Sequence, residues 1–140
     1  MTKAAFYSFL AVTIVALYLL THFTLNQSAS EPVGLYRITT QPLARNALVL
    51  LKDPLKRLVG MPNDSIQVTA AGTYVNGKLV ANSAVPKASP YPHYPYGIFK
   101  LEPDQYWVLG DNPLSYDSRY YGSIPRTLLA STVKSFWTKQ

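Results

Sequence analysis

Thr73-Tyr74-Val75-Asn76-Gly77-Lys78-Leu79-Val80 is the stretch whose reading decides the fold class. A β-favouring run meets Asn-Gly and resumes beyond it, and Asn-Gly is the pair that supplies the two positive φ angles of a type I′ turn. The spacing predicts a hairpin that turns at residues 76 and 77. Outward from it the same punctuation recurs. Short runs of Val, Ile, Leu, Tyr and Thr alternate with Gly, Pro and Asn, and no long helical period follows Pro32. Strands are expected over Gly34–Thr39, Ala47–Leu51, Leu55–Gly60, Ser65–Ala70, Gln105–Leu109 and Thr132–Thr138. The chain therefore reads as mainly β, a compact antiparallel domain without internal repeats.

Ala81–Tyr96 breaks this pattern, with Pro86, Pro90, Pro92 and Pro95 interleaved among Tyr91, Tyr94 and Tyr96. Proline cannot donate to a strand ladder, so the segment is expected to be a surface connector. A loop that faces substrate or dips into a membrane is the alternative.

Upstream of the β region, Ala4 to Leu25 carries no charge. As a helix it would reach about 33 Å, close to the thickness of a bilayer's hydrocarbon core. One transmembrane anchor is the expectation, with a short cytoplasmic tail and anchor over 1–27 and an extracytoplasmic domain over 28–140. Lys3 favours a cytoplasmic N-terminus. The competing reading is a removable signal peptide, since Ser28-Ala29-Ser30 has the small-x-small form of a cleavage site. Against it, the apolar stretch is longer than an ordinary signal-peptide core.

The 140 residues suit one domain, and the absence of cysteine removes disulfides and thiolate metal sites from consideration. His22 and His93 stand far apart without carboxylate clusters beside them, so neither a metal nor another cofactor is expected. The net charge of +6 is spread singly along the chain, which argues against a nucleic-acid partner and fits attraction to anionic lipid headgroups. The eleven tyrosines and two tryptophans suit either a membrane interface or the core and edges of a sheet.

Lys56 lies inside the apolar run Leu55-Lys56-Arg57-Leu58-Val59-Gly60. Strand alternation can turn it inward while Arg57 points to water, and burial is what lowers an amine's pKa enough to make it a base. Taken alone, it is equally an ordinary strand lysine reaching solvent. Ser30 sits just beyond the apolar segment, where Pro32 and Gly34 fix an extended and then turning backbone. A serine hydroxyl needs an adjacent base to become a nucleophile, and neither histidine has a suitable setting. Ser28 is placed to lend its hydroxyl, beside the Ser30 N–H, to an oxyanion. Either serine also fits as a linker residue.

Three boxes in order carry a resemblance: Ser28-Ala29-Ser30-Glu31-Pro32, then Lys56 through Gly60-Met61-Pro62-Asn63-Asp64, then Gly110-Asp111-Asn112 through Ser115-Tyr116-Asp117-Ser118-Arg119. They resemble the type I signal peptidase family, and Ser30-Glu31-Pro32-Val33-Gly34-Leu35-Tyr36 is most similar to its conjugative-transfer, TraF-like branch. The resemblance implies a barrel-like β domain on the outer side of a bacterial inner membrane. It implies a Ser/Lys endopeptidase that cuts exported protein precursors, such as pilins, at small-x-small sites. Ser30 would be the nucleophile, Lys56 the general base and Ser115 the hydroxyl that holds the amine. Asp117 and Arg119 would form a supporting ion pair, Asp111 and Asn112 would shape the adjoining turn, and Pro32, Gly60, Pro62, Asp64 and Gly110 would complete the motif. A general leader peptidase and a non-catalytic anchored β module are the alternatives. Glu31 stands where housekeeping members of the family have methionine, and Asn63 where glycine is usual.

Overall fold

The computed structural model describes residues 1–51 and 54–139. An N-terminal helix, α1 (Lys3–His22), is capped by the Thr2 hydroxyl, which accepts from the Ala5 N–H, and it buries none of its residues. Its 20 residues are long and apolar enough to cross a membrane. The helix is shorter than the apolar segment. Phe23 already has extended backbone, and β1 (Phe23–Asn26) pairs antiparallel with β2 (Gly34–Thr39), from Phe23 opposite Arg37 to Asn26 opposite Gly34. Hydropathy runs on through Leu25, but a strand edge offers Phe23–Asn26 hydrogen-bond partners that a helix end does not.

The remaining strands are β3 (Leu48–Leu50), β4 (Leu55–Gly60), β5 (Ser65–Thr69), β6 (Gly72–Val75), β7 (Lys78–Leu79), β8 (Gly97–Lys100), β9 (Gln105–Leu109), β10 (Ile124–Pro125) and β11 (Ser131–Thr138). They form two antiparallel sheets, one ordered β1-β2-β11-β3-β4-β9-β10 and the other β7-β6-β5-β8. The mainly β, antiparallel fold expected from the sequence is thus present. The hairpin turns where Asn-Gly placed it, with φ of 50° at Asn76 and 80° at Gly77 and Val75 opposite Lys78.

One core joins the sheets: Val59, Trp107 and Leu109 from the large sheet meet Ile66, Val68 and Val75 from the small one. A second lies under β3, β4 and β9, built on Val49, Leu58 and Val108, and a third gathers Tyr36, Leu55 and Val133. β4 contributes to all three, through Val59, Leu58 and Leu55. Gly60 at its end is required by contact, because a Cβ there would lie 2.7 Å from that of Trp107. The following turn puts Asn63 at φ 69°, the left-handed conformation that asparagine tolerates in place of glycine.

Ala81–Tyr96 forms neither helix nor strand, in keeping with its prolines. A short helix, α2 (Ser118–Tyr121), follows β9 and is capped by Asp117.

Candidate active site

Two firmly anchored pieces and one turn bring the site together. β4 carries Lys56, which is 1% exposed between Leu55 and Leu58. Segment 110–119, between β9 and α2, carries Ser115. The turn after β1 carries Ser30, and Asn26 holds that turn closed. The buried Asn26 amide donates to the carbonyls of Glu31 (2.9 Å), Ser28 and Pro32 (both 3.2 Å), and its Oδ1 accepts from the Ser28 N–H. The Tyr36 hydroxyl donates to Pro32 O at 2.7 Å from the other side.

The result places Lys56 Nζ 2.7 Å from Ser30 Oγ and 2.5 Å from Ser115 Oγ, with the two hydroxyls 3.0 Å apart. All three side chains are buried. Burial pushes the Lys56 amine below its ordinary 10.5; Asp117 pulls it up, while Arg119 pushes it further down. An amine held neutral in this position has a lone pair within reach of the Ser30 proton. Ser28 lies beside them and accepts from the Ser30 N–H at 3.4 Å, a long contact that an incoming oxyanion can replace.

Gly110 makes the triangle possible. A side chain there would run into the Ser115 side chain and lie 3.0 Å from the Ser30 carbonyl. The segment is stapled from beneath by Arg119 and Asp117, which are 1% and 0% exposed. Asp117 accepts from Arg119 Nε at 2.8 Å, from its terminal nitrogen at 2.6 Å and from the Gly110 N–H at 2.8 Å. Arg119 also donates to the carbonyls of Asn82, Gly110, Asn112 and Pro113. Asn112 ties its N–H to Ser30 O, and its carbonyl accepts from the Ser115 N–H.

Asp111, expected to shape the turn after β9, also accepts two hydrogen bonds from Arg57, at 2.8 and 2.7 Å. Asp64 lies away from the dyad, where it joins the β4–β5 turn to Arg45 and Asn76. Burial raises its carboxyl, but hydrogen bonds from Arg45, the Met61 N–H and Asn76 outweigh that and hold it below the carboxylate range. Pro62 belongs to that same turn, and Gly60 ends β4 beside it. Asn26 touches the site without having been singled out from the sequence; Glu31 was noted only as a departure from the family motif, and Arg57, expected to point to water, is partly buried and paired with Asp111. Only Asn26, polar at the end of an apolar run and two residues before a serine, left an Asx-turn signal.

Beside the dyad opens a cleft of about 690 Å³ between β4, the segment Leu109–Asp111 and the β6–β7 hairpin. Arg57, Gly110 and Asp111 line its near wall; Val75, Leu79 and Val80 line the far one.

The signal peptidase, peptidase S26 family model matches residues 1–138. The chain belongs to that family. Among curated relatives of this S26 chain, a probable signal peptidase I-2 from Synechocystis sp. is 45% identical over 85 residues, covering 59% of the chain and 38% of the relative. A signal peptidase I from Leptolyngbya laminosa is 36% identical over 85 residues, covering 59% and 40%. The chain thus spans about two-fifths of these relatives' length. An Escherichia coli plasmid transfer protein TraF is 26% identical over 144 residues, with 81% of each chain covered. A crystal structure of an Enterococcus faecalis signal peptidase I aligns with a TM-score of 0.49 at 21% identity, over 69% of this chain and all of that one.

Proposed function

We propose that this S26 chain is a membrane-anchored serine endopeptidase that removes leader segments from exported protein precursors at small-x-small sites. The observation that carries the reading is a buried amine within hydrogen-bond reach of two buried hydroxyls, one of them on a turn four residues after β1. Lys56 takes the Ser30 proton, Ser30 Oγ attacks the scissile carbonyl, and the oxyanion is met by the Ser30 N–H and the Ser28 hydroxyl. The protonated Lys56 returns its proton to the leaving amine. It then accepts one from the water that releases the acyl group. Ser115 holds Nζ in line throughout.

Length and composition of α1 support a single-pass anchor, with the β domain on the periplasmic or outer face and near the lipid surface. The similarity to TraF over 81% of each chain, together with Ser30-Glu31-Pro32, supports a role in conjugative transfer, with a pilin precursor as substrate. The signal peptidase I relatives support the broader reading, a general leader peptidase. Depleting the protein separates the two, since one predicts loss of a single processed product and the other a general accumulation of precursors. Ser30→Ala and Lys56→Ala should each leave precursor uncut while the protein still accumulates. Mass analysis of products from membrane-inserted precursors would expose an error, because normal cleavage by either variant removes the dyad.

A further inference from the structure

We propose that Glu31 is a positioning residue that locks the Ser30 backbone against β4 and sets the charge that Lys56 feels. The proposal rests on the reading of Ser30 and Lys56 as the dyad. Glu31 follows Ser30, and Arg57 follows Lys56, so two neighbouring residue pairs cross between the turn and β4. The Glu31 side chain is fully buried. Its Oε2 lies 3.5 Å from Arg57, whose guanidinium is already engaged by Asp111 at 2.7 Å, and its Oε1 has no hydrogen-bond partner among the described residues. An ionised carboxylate with one oxygen orphaned is costly, whereas a protonated one sharing its proton with Asp111 is not.

Burial, followed by the charge of Asp111, pushes the Glu31 carboxyl up to about 7, and Arg57 only partly opposes this. The charged and titratable groups facing it are Arg57 and Lys56 on β4, Asp111 after β9 and Tyr36 on β2. Once ionised, Glu31 favours the protonated amine of Lys56; while neutral, it does not. Glu31 titrates together with Asp111, and its charge reaches Lys56 alongside the larger influences of Asp117 and Arg119.

The full chain in detergent, reacted with a serine-directed acylating probe from mildly acidic to alkaline pH, tests this. Wild type should show an acid limb broader than the single-proton curve of an isolated lysine. Glu31→Gln should narrow the limb and move it acidward by about half a pH unit, roughly threefold in rate on the slope. Asp111→Asn should move it the other way, because Arg57 is then left to Glu31 alone and keeps it charged. A folded Glu31→Gln whose limb overlays wild type overturns the proposal. If that variant does not fold, an unmoved or acid-shifted limb in Asp111→Asn overturns it instead. Acylation of Ser30→Ala or Lys56→Ala at the wild-type rate would defeat the dyad reading, a different failure from either of these.

Discussion

An amine buried on β4 against two serine hydroxyls is more easily kept neutral than charged, which makes Lys56, the base of the proposed dyad, a burden on folding. Its folded-state value lies below the ordinary 10.5, so between the two the unfolded chain binds more protons, and stability climbs with pH across that window. Below the folded value the penalty for burying a charge is fully present. Lys56→Met should accordingly raise the thermal midpoint at neutral pH while kcat falls to background; a midpoint lower than wild type would contradict a strained amine. Ser115→Ala removes one of the two hydroxyls on Nζ and should lower kcat by roughly 10- to 100-fold, the equivalent of one hydrogen bond to a reacting group, with KM little changed. These residues were legible for uneven reasons. Lys56 showed itself by its apolar flanks, whereas the link to Ser30 and Ser115, 26 and 59 positions away, came only from the resemblance. Glu31 and Arg57 were noticed only as a motif departure and as an outward strand residue, and their pairing went unread because the partners are met across the fold.

Gly77 governs an element that forms the far wall of the cleft. Its φ is +80° and a Cβ would meet nothing within 4 Å, so Gly77→Ala carries backbone strain alone, about 1 kcal/mol. Denaturant unfolding should register that loss; if the cleft takes the precursor in the proposed peptidase reading, steady-state kinetics should show KM rising more than kcat falls, since Val75 and Leu79 line it and the dyad residues do not. The strands around such turns were read well. Gly34–Thr39, Leu55–Gly60 and Gln105–Leu109 have the bounds expected from their residues, and the other three shift by a residue or so at their ends. β8 and β10 escaped notice because both are short, Gly97–Lys100 follows a proline-rich stretch and Ile124–Pro125 itself contains a proline; pairing with β5 and β9 makes them strands. β1 was hidden inside a continuous apolar run, and α2 is too brief to show a helical period.

At the scale of the molecule, the β domain has an edge that depends on four residues beside the helix. β1 covers β2, while Phe136 and Trp137 on β11 stand 65% and 66% exposed, with Phe23 packed edge-on to Phe136. A chain that begins at Phe23 should fold and remain monomeric in mild detergent. One that begins at Ser28 uncovers β2, loses the Asn26 clamp and should aggregate, as size-exclusion chromatography would report. Equal behaviour of the two would deny β1 its structural part. The junction has a further result. Phe23 is at once the residue that ends α1 and the first of β1, so no slack joins them, and only Gln27, Ser28 and Ala29 separate the strand from Ser30. In the proposed reading, the Ser30 oxygen rides at a set height above the helix end, like the tooth of a gauge, and peptide bonds would be sorted by how far they stand out from the lipid as well as by the side chains around them.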